Sequence, residues 1–155
     1  MVASPGGAST FDREVRLAVY RKIVAEGVPP TVPEVARGLA VATSDVERSF
    51  RRLADGRALV LAPGTPYIWM ANPFSAIPTP FEVKVGDLRY FANCIWDALG
   101  IPACMHTDAR IDTYCPDCSE PLSLEVRDHE LAEPAEGVLH FAVPAARWWD
   151  DIGST

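Results

Sequence analysis

Residues 72–80 read Asn-Pro-Phe-Ser-Ala-Ile-Pro-Thr-Pro and divide the chain into two unlike halves. Each of the three prolines fixes its own φ and favours extended backbone in the residue before it, so the stretch is predicted to be stiff. Helix signals precede it, and strand-like alternation follows it. The sequence therefore predicts an α+β fold, in which a three-helix N-terminal unit packs on a small mixed α/β domain with antiparallel strands.

Three helices and a hairpin are predicted before residue 72. Ser9 can cap the first helix, and residues 31–34 and 44–47 each have the capping-box pattern, in which a hydroxyl and a glutamate bond backbone N–H groups at the start of a helix. Residues 58–61 and 67–70 resemble two strands around a Pro-Gly turn. Three short helices followed by a hairpin form the winged-helix pattern.

The second half is predicted to contain four strands and one helix. Strands are expected at residues 81–85, 109–114, 122–127 and 138–143, and a helix at residues 88–99. The last strand would leave an exposed sheet edge near Val143. Because an unpaired edge can pair with another chain, a homodimer is among the expectations.

The charge of the chain is unevenly distributed. The net charge is −7, but the first 57 residues carry nine Lys/Arg against seven Asp/Glu, and the remainder carry five against fourteen. An acidic half does not attract nucleic acid or anionic lipid. No apolar run reaches the ~20 residues that span a bilayer. We expect a cytoplasmic protein whose four cysteines are thiols, catalysts or metal ligands rather than disulfides.

The strongest chemical pattern is Cys94 followed three residues later by Asp97. On a helix, positions three apart are neighbours. A thiol at the edge of an apolar stripe, beside a desolvated carboxylate, can lose its proton to that carboxylate, which can then deliver it elsewhere. The alternative is a buried core cysteine beside a surface aspartate, which is common in proteins.

A second pattern is Cys115-Pro116-Asp117-Cys118, predicted in a turn between two strands. One CxxC supplies half of a tetrahedral zinc site, and Cys104 and His106 could supply the other two ligands of a structural zinc. A redox pair would normally open a helix, which a hairpin turn does not. The remaining interpretation is that Cys115 packs inward and Cys118 has no role.

Several segments in order resemble the organomercurial (alkylmercury) lyase family. The Pro-rich stretch is followed by a strand, a turn and the Cys94-x-x-Asp97 helix, and the match continues through most of the chain. The later segments that carry the resemblance are Ile101-Pro102-Ala103, Ala109-Arg110-Ile111, Cys115, Pro121-Leu122-Ser123-Leu124 and Val143-Pro144.

The resemblance implies protonolysis of carbon–mercury bonds. Cys94 would be the first mercury-binding thiolate, Asp97 the proton shuttle, and Cys115 a structural cysteine. Soft thiolate is a suitable ligand for soft mercury, and no cofactor is required. The partners would be small organomercurials and cellular thiols. The family's second catalytic cysteine would fall just beyond Thr155, the last residue of this sequence.

The predicted organisation is a disordered tail at residues 1–9, a winged-helix-like domain at 10–72, a linker at 73–80 and a lyase-like catalytic domain at 81–155. Two other functions remain open. A homologue without catalysis could bind mercury or another soft metal through thiols, which does not need Asp97. A winged-helix regulator could bind DNA through basic residues that lie on and after the third helix, namely Arg48, Arg51, Arg52 and Arg57.

Overall fold

The computed structural model describes residues 9–132 and 137–153, so the predicted N-terminal tail lies outside the described residues except for Ser9. The helices are α1 (Thr10–Glu26), α2 (Val32–Leu39), α3 (Thr43–Asp55) and α4 (Ile95–Met105), followed by a 3-10 helix at Ala145–Asp150. The strands are β1 (Val60–Leu61), β2 (Ile68–Ala71), β3 (Phe74–Ser75), β4 (Glu82–Val85), β5 (Leu88–Ala92), β6 (Ala109–Tyr114), β7 (Pro121–Arg127) and β8 (Glu130–Leu131). This combination confirms the α+β class.

All eight strands belong to one antiparallel sheet in the order β1-β2-β3-β5-β4-β6-β7-β8. The short strand β3 lies inside the Pro-rich stretch and joins the β1–β2 hairpin to β5. Buried residues from both halves form one cluster. The core therefore gives no boundary at residues 73–80, and the domain limits stay a prediction.

The N-terminal helices begin partly as predicted. The Ser9 hydroxyl accepts from the Asp12 N–H at 3.0 Å, and the Glu34 carboxylate accepts from the Thr31 N–H at 2.7 Å. The second capping box was wrong, because α3 starts at Thr43 and Ala42 is its N-cap residue without a side-chain bond. The three helices and the hairpin are present, while their assignment as a winged helix stays a prediction.

The sheet has one apolar face and one charged face, as alternation along its strands requires. Val83 in β4 and Ile111 in β6 are fully buried on the side that α4 covers. Residues of the opposite face form ion pairs across strands, such as Lys84 to Asp112 at 2.8 Å. Helix α4 therefore packs on the apolar face of the sheet, and its first turn follows the end of β5.

Helix α1 is fixed against β5 at its C-terminal end. The Tyr90 hydroxyl donates to the Val24 carbonyl at 2.6 Å. Gly27 ends the helix at φ 77°, and a Cβ there would lie only 2.7 Å from the Arg89 carbonyl oxygen. Only glycine allows both the left-handed conformation and this close approach.

Two predicted elements were wrong. Residues 88–92 form β5 rather than the start of a helix, because Gly86 and Asp87 turn the chain back on β4 and Tyr90 and Ala92 alternate into the core. The helix starts at Ile95 and continues past Pro102. Residues 138–143 form no strand, so the sheet edge expected near Val143 does not exist. No helix of the described residues is both long and apolar enough to cross a bilayer.

Candidate active site

Cys94 is the N-cap residue of α4, two residues after the end of β5. Its backbone is extended, at φ −150° and ψ 178°, and its carbonyl accepts from the Ala98 N–H at 2.9 Å. The thiol is half-buried. The backbone N–H groups of Trp96 and Asp97 lower the pKa of this thiol, as expected at a helix N-terminus, where free donors and the helix dipole favour a thiolate.

Burial nevertheless raises the pKa of the Cys94 thiol above its ordinary value, and the nearby Asp97 carboxylate raises it further. The two N–H groups lower this pKa but do not reverse the shift. The resting thiol is therefore protonated at neutral pH. Any reaction that uses the thiolate must therefore first remove this proton.

Asp97 lies in the first turn of α4 and is also half-buried. Burial raises the pKa of its carboxyl, while hydrogen bonds from the Asn93 amide and the Cys94 thiol lower it. A carboxylate with a raised pKa is a better base than an exposed one, and the Cys94 thiol is near enough to shift its pKa. The structure thus brings Cys94 and Asp97 side by side at the start of α4.

Asn93 connects this pair to the N-terminal half. Its Nδ2 lies 3.1 Å from Asp97 Oδ2 and 3.1 Å from Asn72 Oδ1. The backbone carbonyl of Asn72 accepts from the Tyr20 hydroxyl of α1 at 2.8 Å. Asn72 precedes a cis peptide bond to Pro73. A chain of hydrogen bonds therefore runs from α1 to the Asp97 carboxylate.

Sequence reasoning gave no role to Asn93, Asn72 or Tyr20. The spacing of four residues between Asn93 and Asp97 was a usable signal, because the sequence predicts both on one helix, where residues four apart meet. Tyr20 and Asn72 are 52 residues apart, and no local pattern joins them. Two buried oxygens, Asn93 Oδ1 and Thr113 Oγ1, have no hydrogen-bond partner in the described part of the chain.

An aromatic cluster stands beside the first turn of α4. The rings of Trp96 and Phe141 are 6.0 Å apart in an edge-to-face arrangement, and Trp148 lies 5.3 Å beyond Phe141. The Trp148 indole N–H donates to the Val143 carbonyl at 2.8 Å. Trp96 remains 54% exposed, so this cluster presents an apolar surface next to Cys94.

The other three cysteines lie outside the first turn of α4. Cys104 is exposed and ten residues further along α4, which at 1.5 Å per residue is about 15 Å along the helix axis. Cys115 and Cys118 lie in the turn between β6 and β7. Within residues 9–132 and 137–153, no three His, Cys, Asp or Glu side chains are grouped to hold a metal ion. The Cys104–His106 and CxxC residues therefore do not assemble the zinc site considered from the sequence.

The basic residues of the regulator hypothesis are engaged within the protein. Arg48 pairs with Asp45, Arg51 with Glu47 at 2.6 Å, and Arg52 with Asp12 at 2.7 Å. The Arg57 guanidinium lies 5.4 Å from the centre of the Trp149 ring. Contact with phosphate would have to replace these interactions, which weakens the case for a DNA-binding surface.

Two open surface grooves lie elsewhere. One of about 360 Å³ separates α1 from α2 beside Lys22 and Glu34, and another of about 330 Å³ lies between α3 and the β1–β2 hairpin. Neither is lined by Cys94 or Asp97. The juxtaposition of thiol, carboxylate and amide is a more specific sign of chemistry than groove size, so we place the site at the start of α4.

The family model for alkylmercury lyase matches residues 74–155, more than half of the chain. The chain belongs to the alkylmercury lyase family. The matched range contains Cys94, Asp97 and the CxxC turn, together with strands β3 to β8. The resemblance seen in the sequence is thereby confirmed.

One solved structure with this lyase fold is described as the mercury-bound form of MerB2. The similarity has a TM-score of 0.67 at 22% sequence identity, and it covers 82% of this chain and 61% of that one. The chain thus spans about three fifths of the length of that structure, and at this identity the likeness concerns the fold. No curated protein sequence matches the chain.

Proposed function

We propose that the protein cleaves carbon–mercury bonds by protonolysis, with Cys94 as the mercury-binding thiolate and Asp97 as the proton shuttle. The observation that carries the proposal is the placement of these two groups: a half-buried thiol and a half-buried carboxylate at one helix N-terminus, close enough that each shifts the pKa of the other. Membership of the alkylmercury lyase family supports the same chemistry. No step requires a resident cofactor.

The first step is ligand exchange at mercury. An organomercurial R–Hg–X loses X⁻ as the Cys94 sulfur bonds to mercury, and the thiol proton passes to the Asp97 carboxylate. Mercury is soft and favours thiolate, which drives the exchange. The raised pKa of Asp97 suits it to accept this proton and then to donate it.

The second step breaks the carbon–mercury bond. A second thiolate bonds to mercury, the bonding electron pair moves to carbon, and the Asp97 carboxyl delivers its proton to that carbon. The products are the hydrocarbon R–H, a mercury(II) bis-thiolate that includes Cys94, and the regenerated carboxylate. A small cellular thiol in a reducing cytoplasm can supply the second thiolate, and the exposed ring of Trp96 offers an apolar surface for R.

The alternative is a homologue that binds mercury without cleaving the carbon bond. It needs the thiol but no proton donor. The interactions of Asp97 with both Cys94 and Asn93 favour the cleavage reaction over this alternative, because a simple binding site gains nothing from a desolvated carboxylate beside its thiol.

The deciding experiment is a single-turnover assay with a simple arylmercurial and excess reduced thiol, following the released hydrocarbon and the protein-bound mercury separately. We expect the wild type to release the hydrocarbon. In Cys94→Ser we expect loss of hydrocarbon release and of mercury binding at the start of α4. Cys104→Ser is the matched control, because it removes an exposed thiol at the far end of the same helix. Mercury binding without hydrocarbon release by the wild type would instead favour the non-catalytic homologue.

A further inference from the structure

We infer that Cys115 and Cys118 form a second site, a two-thiol chelate that takes mercury(II) from the Cys94 centre after the carbon bond is cleaved. The inference rests on the proposed function for its physiological role, but the binding of mercury(II) by this turn can be tested without any cleavage. It gives a role to a motif that the proposed reaction does not use.

The geometry of the β6–β7 turn holds the two cysteines together. The Cys115 N–H donates to the Glu120 carbonyl, and the Ser119 N–H donates to the Cys115 carbonyl, both at 2.8 Å. Ser119 closes the turn in the left-handed region at φ 61°. The six-residue pairing of β6 with β7 fixes the base of this turn. The spacing of the two thiols is therefore set by backbone structure.

The turn also makes the Cys115 thiol easier to deprotonate. Hydrogen bonds from the backbone N–H groups of Cys118 and Asp117 and from the Cys118 thiol lower the pKa of Cys115, and they outweigh the opposing effects of burial and of the Asp117 charge. This is the reverse of the environment of Cys94, where burial raises the pKa of the thiol. Cys118 is exposed, so an incoming ion can reach the pair.

Two thiols without further ligands suit mercury(II) better than zinc. Zinc in structural sites takes four ligands in a tetrahedron, whereas soft mercury(II) is satisfied by two thiolates. In the described part of the chain no third His, Cys, Asp or Glu joins the pair. The donor set thus selects for a soft, two-coordinate ion.

The pair lies at the same end of the sheet as Cys94. In the sheet, Glu82 of β4 pairs with Phe91 of β5 on one side and with Asp112 of β6 on the other. Strands β5 and β6 run in the same direction from this row. Cys94 follows Phe91 by three residues, and Cys115 follows Asp112 by three residues. One strand, β4, separates them, so the two strands are about 10 Å apart. Transfer needs only thiol exchange: the mercury bis-thiolate gives its metal to Cys115 and Cys118, whose two protons pass to Cys94 and to the released small thiol.

The test uses the full chain reduced with a phosphine, mercury(II) chloride as the probe, and excess glutathione as competitor. Retained mercury is measured by intact-protein mass spectrometry and by the thiolate-to-mercury absorption band. In Cys94→Ser we expect one retained mercury(II) per chain. In Cys94→Ser/Cys115→Ser/Cys118→Ser we expect at least a tenfold loss of retention. Cys94→Ser/Cys104→Ser is the matched control and should retain mercury as Cys94→Ser does.

Circular dichroism checks that the triple variant is folded. If it is not, Cys94→Ser/Cys118→Ser gives a second measurement, because within the turn it replaces only the exposed thiol. Equal retention with and without the turn cysteines would overturn the inference, as would loss of the mercury in the Cys104 control. Failure of the cleavage assay with retained mercury in Cys94→Ser would overturn the proposed lyase reaction and leave the chelate standing.

Discussion

Asp12 and Asp97 are two carboxylates withdrawn from solvent in the first turn of a helix, and their surroundings differ. Asp12 in α1 accepts hydrogen bonds from Ser49 at 2.5 Å and from the Arg52 guanidinium at 2.7 and 3.0 Å. These partners, led by Arg52, hold the pKa of Asp12 well below its usual range. Burial raises the pKa of Asp97 in α4, and its partners among the described residues are the neutral Asn93 amide and Cys94 thiol.

The comparison shows that burial alone does not decide what a carboxylate does. A cation makes Asp12 a permanent anion that ties α1 to α3. Without a cation, Asp97 has a raised pKa, so its carboxylate holds a proton more strongly than an exposed one does. Four predictions test this contrast, beginning with the largest expected effect.

Replacing Asp97 with asparagine should lower the single-turnover rate of hydrocarbon release by about 10²–10⁴-fold, the usual contribution of a general acid–base group. Mercury binding at Cys94 and the melting temperature should change little, because asparagine keeps the size of the side chain. The rate is read from hydrocarbon release and the binding from retained mercury. Unchanged turnover in this variant would remove Asp97 from the mechanism.

Replacing Asp12 with asparagine should act on stability and not on turnover. Because the charged hydrogen bonds to Arg52 are lost and the site is buried, we expect a loss of about 1.5–3 kcal/mol in the free energy of unfolding. Urea denaturation followed by circular dichroism measures it. Activity per folded molecule should stay at the wild-type value, and a specific loss of turnover would mean that the two carboxylates are coupled.

Replacing Asn93 with alanine should lower turnover at neutral pH by about fivefold, the effect of one hydrogen bond of about 1 kcal/mol. Since the Asn93 amide lowers the pKa of Asp97, its loss raises that pKa further and moves the acidic limb of the pH–rate profile to higher pH. In the Asp97→Asn background the same change should have no further effect on the rate. An additive loss there would assign Asn93 a role independent of Asp97.

The smallest expected effect is an opposite drift of stability with pH. The contribution of Asp12 is complete above its unfolded pKa near 3.8 and is lost as the pH falls towards its depressed folded value. The folded pKa of Asp97 is raised, so wild type loses stability relative to Asp97→Asn as the pH rises from about 3.8 through that value. Denaturation curves from about pH 2 to about pH 7 measure both, and parallel drifts would contradict the assigned surroundings.

The sequence was most informative where local pattern and local structure coincide. Strand β6 was predicted with its observed bounds, because its apolar alternation has no competing helical pattern. The residues of β5 were read as helix because Phe91 fits the apolar stripe of α4, and only pairing with β4 decides otherwise. Cys94 and Asp97 could be chosen from their spacing. The contribution of Asn72 depends on a tertiary contact with Tyr20 that spacing does not encode.

Successive residues of β6 face opposite sides of the sheet, and this alternation determines where residues can be inserted into the chain. Ile111 faces the core and Asp112 faces the ion pairs of the outer surface, so one inserted residue within β6 would exchange these environments for every residue that follows it in the strand. A graft or reporter peptide placed within β6 should therefore prevent folding. The turn at Pro63-Gly64 carries no such alternation, and its solvent-exposed tip is the natural point to lengthen the chain without moving Cys94.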